Sequence, residues 1–555
     1  MKGNNETEVE ILKEESETQS NEKVTEKTSV QHQEKNDSSD GKNSKKTNNS
    51  LIIIAVLLIA LSACILFVIY TNRGINKGNN NNNNIKTDSN KVYSMYRMSG
   101  NSIEDFDLSF LQLENSNKNI LYSPLSIKYA LGMLSDGANG KSKEQIDAII
   151  GDYKSKAYTN SQNMSFANAM FVKDTYKDSI NSSYVDLLST KYNASVIYDS
   201  FTTPDNLNKW VSDKTFNLIE NLFDDVSNNN FFLTNALAID MEWKNVLQAT
   251  NRASGRFMYS VSYPHEKYFD HIDHLDDTGY HGLKFNDNKV VKSVEVGASI
   301  NNYDIIKDKG REEIIKTITD GYNAHVASGG ETCGIDLDTF VNTYMQEIGE
   351  NFGRIDVSTD FLFYNDENVK VFAKDLKTYD NTTLQYVGVM PTTDSLENYV
   401  KSTNAKALSE LVSKLKPLEL SSFEEGKVYK LHAYIPMFKF DYKLSLKDDL
   451  QKLGINDVFT KGKADLSNMT SDSETYIDSA DHKATIEFSN EGIKAAAATM
   501  AGGAGATRCV GYDYIYEIPV EEIDLTFDKP YLFIIRDKDT QEVWFIGTVY
   551  EPTEK

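Results

Sequence analysis

The chain has 555 residues, room for one large domain or two to four ordinary ones, and its 40% hydrophobic and 11% aromatic content can fill a packed core. A formal net charge of −24 excludes a general affinity for nucleic acid. The three cysteines, Cys64, Cys333 and Cys509, stand far apart with no C-x-x-C, which points away from a disulfide framework or a cysteine zinc site. Asn, Lys and Ile are abundant, a bias associated with AT-rich bacterial genomes.

Residues 1–50 carry almost no apolar side chains, cannot offset their chain entropy by burial, and read as a disordered acidic tail. LIIIAVLLIALSACILFVIY, Leu51–Tyr70, follows without a charge, and twenty residues at helical rise span roughly 30 Å, the thickness of a bilayer core. A transmembrane helix is expected there. A buried soluble helix would seldom be apolar on every face, and a cleaved leader would be shorter. LSAC at Leu61–Cys64 is also similar to a bacterial lipobox, in which Cys64 would be lipidated. Lys42, Lys45 and Lys46 before the span, against Arg73 and Lys77 after it, favour a cytoplasmic tail, with the bulk of the chain across the membrane. Residues 71–91 form an Asn-rich linker.

Apolar periodicity returns at Val92. ILYSPLSIKYALGMLSDGA places Ile127, Ala130, Leu131 and Leu134 on one helix face, with Gly137 as a stop. NLNKWVSDKTFNLIENLF is a second amphipathic run, through Trp210, Val211, Phe216, Leu218, Ile219 and Leu222. FFLTNALAIDMEW has strand character, and VYKLHAYIPMFKFDYKL alternates through Phe438 and Phe440. PYLFIIRDKDTQEVWFIGTVY reads as two strands around a polar turn at Arg536–Gln541. Helices dominate early and strands late, the pattern of an α+β domain with more than one sheet.

In this order, the segments resemble the serpin family. NILYSPLSIKYALGMLSDGANGKSKEQI, NMSFANAMFV, NALAIDMEW, LHAYIPMFKFDYKL, DHKATIEFSNEGIKAAAAT and FDKPYLFIIRDKDTQEVWFIGTVYEP are each similar to a serpin element. The resemblance implies a serpin domain over 92–555 with three β-sheets and about eight to nine helices. It also implies an exposed reactive-centre loop at 490–518. The stretch from about 300 to 367 is longer than a serpin needs there; it has a helical pattern from Asp308 and reads as an inserted subdomain.

The resemblance makes Glu491, Gly492, Ile493, Lys494, Ala495, Ala496, Ala497, Ala498 and Thr499 the hinge of that loop. Taken alone, the alanine run could equally be a short surface helix stopped by Gly502 and Gly503. As a hinge it suits a strand that must slide between two others, because small side chains clash on neither face. Gly492 would leave the backbone free to change direction, and Ile493 tolerates burial. Counting the family spacing from Gly492 puts the scissile bond at Ala506–Thr507, with Arg508–Cys509 as the alternative. Cys509 reads as an exposed loop thiol, with a redox-sensitive or covalently paired cysteine as the second reading. Ser123, Ser126, Asn235 and His482 match the buried cluster where serpin strands part, and Trp243 the point where the loop enters.

The implied function is suicide inhibition at a cell surface. A serine protease, or possibly a cysteine protease, would be trapped as an acyl-enzyme once the cleaved loop inserts. A non-inhibitory binding or adhesion module built on the same fold is the alternative. No catalytic residue, cofactor or small-molecule substrate is implied. His265, His271, His274 and His281, with Asp270, Asp273, Asp276 and Asp277, could form a metal site, but His-x-x-His lacks the helical i, i+4 spacing and a solvated loop is the simpler reading.

Overall fold

The computed structural model describes residues 102–151, 153–247, 272–275, 281–286, 289–493 and 518–553. Residues 1–91, including the expected span at 51–70, lie outside these. So do Lys494–Thr499, Ala506, Thr507, Arg508 and Cys509. Among the described residues, no helix is long and apolar enough to cross a membrane.

In chain order come α1 (Asp105–Glu114), β1 (Ile120–Tyr122), α2 (Pro124–Gly137), α3 (Gly140–Ile150), β2 (Met164–Lys173), α4 (Ser182–Tyr192), β3 (Ser195–Asp199), α5 (Asp205–Lys214), β4 (Phe231–Ile239) and β5 (Met241–Glu242). Then follow β6 (Ile272–Leu275), β7 (His281–Phe285), β8 (Lys289–Asn302), α6 (Ile305–Lys309), α7 (Arg311–Ala327), α8 (Leu337–Asn351), β9 (Ile355–Val357), β10 (Leu362–Asn365), β11 (Val369–Asp375) and β12 (Leu384–Pro391). The chain continues through α9 (Leu396–Ser402), α10 (Ala405–Ser413), β13 (Lys416–Pro417), β14 (Lys427–Pro436), β15 (Phe438–Ser445), α11 (Leu446–Lys452), β16 (Asp481–Phe488), β17 (Gly492–Ile493), β18 (Val520–Asp524), β19 (Tyr531–Asp537) and β20 (Val543–Val549).

A seven-stranded sheet, β1-β20-β19-β12-β11-β10-β13, forms the body. Its side chains alternate between two apolar cores. Val371, Val387, Val389, Leu532 and Ile534 enter one core with α1–α3 and α9–α11. Phe372, Tyr386, Phe533 and Ile535 enter the other, against β8, β14, β15 and β16. With both faces buried, these strands read as continuous apolar runs although their side chains point in turn to opposite cores. Even Arg536 and Asp537, expected in the turn, are buried in β19, where the Arg536 guanidinium donates to Gln385 Oε1 at 2.7 Å. The second sheet runs β18-β14-β8-β7-β6, with β9 beside β8.

The expected single central sheet is divided. One part is β3-β2-β4 and the other β15-β16-β17-β5. Since β5 resumes the line of β4 after one residue, Asp240, the two parts join at one end and separate at the other. Among the described residues the hydrogen-bonded sheets therefore number four, against the three expected. Eleven α-helices occur among the described residues, and three of them, α6–α8, form the insertion. Tyr303, Ile314, Ile318, Tyr322, Phe340 and Tyr344 give that insertion its own core. It occupies less than 300–367, because β8 reaches Asn302 and β10 belongs to the body. Cys333, in the turn between α7 and α8, is disulfide-bonded, which corrects the reading of the cysteines as unpaired.

The second amphipathic run breaks where one helix was expected. α5 stops at Lys214, and Phe216 and Asn217 take left-handed φ angles of 53° and 60°. The chain then crosses as a strap, pinned by the buried Asn208, whose Oδ1 accepts from the N–H groups of Leu222 and Phe223 at 2.9 Å.

Helices α1 and α2 are locked together by one ion pair with both side chains fully buried, Lys128 Nζ to Asp107 Oδ1 at 2.7 Å. Burial pushes the Asp107 carboxyl above its ordinary range, and the lysine only partly opposes that. Removing one partner strands the other charge in the core. Lys128→Met should therefore cost about 3–5 kcal/mol, while the double change Asp107→Leu with Lys128→Met should recover most of that loss. Chemical denaturation of the three proteins measures both effects.

Candidate functional site

The separation of β4 from β16 leaves a cleft of about 590 Å³. Its sides are β4, through Phe231, Leu233 and Asn235, and β16, through His482 and Ala484; Ile127 and Leu131 of α2 lie against it from beneath. β4 is bonded to β2 and β16 to β15, but neither is paired with the other along the cleft. Two strand edges therefore face one gap, and such an edge is a template for another strand. The strap after α5 lies across it. Lys483 Nζ donates to Asn221 O at 3.0 Å, and the Thr485 hydroxyl to Leu218 O at 3.3 Å.

The described hinge residues, Glu491, Gly492 and Ile493, stand at the joined end. Instead of opening into an exposed loop, the chain turns back after β16 and enters the sheet as β17, with Ile493 opposite Phe488 on one side and Met241 on the other. Gly492 faces Glu242. A Cβ on Gly492 would lie 2.2 Å from Met241 O, so close approach of β5 requires the glycine, rather than freedom to turn. Ile493 is 2% exposed and packs in the second core.

Four backbone groups of the turn are held by two side chains. Trp243, fully buried, donates its indole N–H to Ser489 O at 2.9 Å, and its backbone N–H to Glu491 O at 2.8 Å. Ser489 Oγ accepts from the N–H groups of Glu491 and Gly492 at 3.3 Å and donates to Gly492 O at 3.1 Å. The Trp243 ring packs edge-on against Phe488 at 5.4 Å between centroids, so the indole closes the cleft at this end.

Farther along the cleft, the expected polar cluster is only partly assembled. Ser123 caps α2, its Oγ accepting from Ser126 N–H at 3.1 Å. Its own N–H donates to His482 Nε2 at 3.0 Å, which places the ring proton on Nδ1. The Ser126 hydroxyl reaches Asn235 O at 3.5 Å. The Asn235 amide, however, turns to Asn168 Oδ1 at 2.8 Å instead of crossing to His482, and its own Oδ1 has no hydrogen-bond partner among the described residues. Sequence reasoning missed Ser489, Asn168 and Asn208, polar residues whose partners lie in other elements. Of the four clustered histidines, His274 and His281 fall on β6 and β7, and His265 and His271 lie outside the described residues. Among the described residues, no three His, Cys, Asp or Glu groups converge as a metal set.

Burial lowers the His482 pKa to about 4. The ring is only part-buried, because one edge faces the cleft, and water there softens the effect. With a folded pKa below the unfolded value near 6.5, stability is complete above pH 6.5 and falls progressively as pH drops toward 4. The loss should be about 1–3 kcal/mol. Thermal melts across that window should show a slope that His482→Gln flattens.

The model for the family "Serpin (serine protease inhibitor)" matches residues 104–268 and 356–552, leaving out the helical insertion. Leukocyte elastase inhibitor A of Mus musculus is 35% identical over 152 residues, 27% of this chain and 37% of that protein. The aligned part thus spans little more than a third of that relative's length. Neuroserpin of Mus musculus is 23% identical over 461 residues, 79% of this chain and 87% of that protein. Among solved structures, the thermophilic serpin tengpin in its native state aligns with a TM-score of 0.52 at 20% identity, covering 86% of this chain and 97% of that one. With the divided sheet, the docked hinge and this match over more than half its length, the chain belongs to the serpin family.

Proposed function

We propose that this chain is an inhibitory serpin held at a membrane by residues 51–70, with its serpin domain on the extracytoplasmic side, where it traps a serine protease. The observation that carries the reading is the hinge already seated as β17 at the mouth of an open cleft. A protease taking the loop as substrate forms an acyl-enzyme through its nucleophile at the carbonyl of Ala506 or Arg508, breaking the bond to the next residue. The freed arm, still attached at Gly492, runs on between β4 and β16. In the register fixed by Phe488 opposite Ile493, Met500 comes to lie opposite Asp481. The protease is dragged along, its oxyanion hole is distorted, and deacylation slows.

The chemistry of the cleft fits such an arm. Alternate residues of a strand share a face, so Ala495, Ala497 and Thr499 would follow the buried Ile493 inward. Each is small enough to pass between the cleft walls without a clash.

Incubating the compact unit Thr87–Lys555 with elastase-like, subtilisin-like and trypsin-like proteases tests the proposal. An SDS-resistant adduct is expected, and the mass of the released C-terminal peptide distinguishes Ala506 from Arg508. Clean cleavage with neither adduct nor gain in thermal stability would leave a non-inhibitory binding module.

Ala497→Arg puts a charge on the inward face. Cleavage should proceed at an unchanged rate while adduct yield falls steeply, because burying an unpaired cation stalls the strand. Undiminished adduct on gels would sink the assignment of the hinge.

A further inference from the structure

Lys128 of α2 and Asp107 of α1 meet with both side chains 0% exposed, Nζ 2.7 Å from Oδ1. The approach lies outside hydrogen-bonding angles, and neither atom has a hydrogen-bond partner among the described residues. Asp107 Oδ2 is held from another side, accepting from the backbone N–H of Glu104 at 2.9 Å. Lys128 Nζ also faces the Tyr153 ring, 5.3 Å from its centre. Glu542, fully buried just before β20, feels the charge of Lys128. Its oxygens are taken, however. The Tyr153 hydroxyl donates to Oε1, and the hydroxyls of Ser155 and Tyr158 donate to Oε2 at 2.8 and 3.1 Å. Asp107 is the carboxyl left to the lysine.

In water such a pair is inert, because an ammonium has no lone pair and a carboxylate is a poor electrophile. A dry core changes the balance. Two buried charges are costly, so the neutral amine and carboxylic acid, one proton transfer away, come within reach. Burial already pushes the Asp107 carboxyl above its ordinary range. The two groups are also fixed side by side, which replaces a bimolecular encounter with an intramolecular one. We propose that Lys128 and Asp107 condense to an isopeptide bond from Nζ to Cγ, joining α1 to α2 covalently. The bond depends on this buried pair alone and is independent of the inhibitory reading.

The first proton passes from Nζ to Oδ1, leaving an amine and a carboxylic acid. The amine lone pair then attacks Cγ, and the negative charge that collects on Oδ2 is met by the Glu104 N–H. Nitrogen now carries the positive charge and gives a second proton to the Oδ1 hydroxyl. The Cγ–Oδ1 bond breaks, its electron pair leaves with oxygen, and the carbonyl re-forms at Oδ2. Of the three protons that began on Nζ, one remains as the amide N–H and two depart in the water released. No other reactant is consumed. Reversal requires water at Cγ, and the site that would admit it is fully buried. Condensation also removes two charges from the core, so the product suits its surroundings better than the pair did. The resulting cross-link closes residues 107–128 into a loop around β1 and restricts the unfolded chain. Both substituted chains compared for stability above lack the bond, so the difference between them reports the stranded charge alone.

The test is the mass of the full chain, measured intact after reduction and denaturation and then by tryptic peptide mapping. The intact mass should fall one water below that of the sequence. The map should contain a branched peptide joining the segments around Asp107 and Lys128, with no cut after Lys128, because an acylated lysine is not a trypsin site. A full mass with ordinary cleavage after Lys128 overturns the bond. So does a missing water that maps elsewhere, as a succinimide at another aspartate would. Lys128→Arg keeps the cation but offers no amine to acylate, and it should restore the full mass; a water still missing in that variant overturns the assignment to Lys128. The unsubstituted chain is decisive by itself, so a variant that fails to fold leaves the answer intact.

Discussion

Among the described residues, the two halves of the central sheet share no ladder between β4 and β16, and that open seam governs the rest of the architecture. β4 and β16 each have one edge without a ladder partner, over a cleft whose floor is the apolar face of α2. Each ladder hydrogen bond gained there is worth only about 1 kcal/mol, but a strand between two edges gains them on both sides along its whole length. On the proposed reading, the fold holds back a favourable transition. What it needs is a barrier.

That barrier is divided between the ends of the cleft. At the joined end, Trp243 and Ser489 hold the turn that leads into Gly492 and Ile493, with backbone groups of that turn satisfied and the indole buried. Along the open part, the strap from Phe216 to Asn230 is pinned by Asn208 at one side and held by Lys483 and Thr485 at the other. Beneath both devices lies the seven-stranded sheet, whose two faces are both buried and on whose Tyr386 the Trp243 ring packs edge-on. The sheet and the buried Lys128–Asp107 pair form a rigid base, so the half-sheets can part without unfolding the body. A metastable state of this kind persists through kinetics, not equilibrium.

Much of this was legible in the sequence, because the signals were local. Pro124 to Gly137 shows helical periodicity between a Ser cap and a Gly stop. Gly492 was read as leaving the backbone free to change direction, whereas the constraint is the nearness of Met241 O, a residue some 250 positions away. Ser489, Asn168 and Asn208 gave no signal at all. Their partners are backbone groups or amides in other elements, and nothing in an isolated polar side chain reveals such a partner. Arg536 was placed in a turn because charge was taken for exposure, whereas Gln385 across the strand satisfies it. The break in the central sheet was likewise invisible: strand propensity reports that β4 and β16 are strands, not whether they meet.

The alanine run shows how one composition can serve two states. Alanine is a poor strand former and an excellent helix former, so residues 495–498 carry little intrinsic preference for the sheet they would join. Insertion must then be driven by the empty edges and apolar walls, which are features of the body rather than of the arm. A more β-prone arm would enter the cleft more readily before cleavage and would demand a stronger clamp at Trp243. The helical addition that sets this chain apart, α6–α8, is built at the start of β14 and beside Ile518, beyond the segment that would move. Mass can accumulate on that side because an arm attached only at Gly492 carries none of it into the sheet.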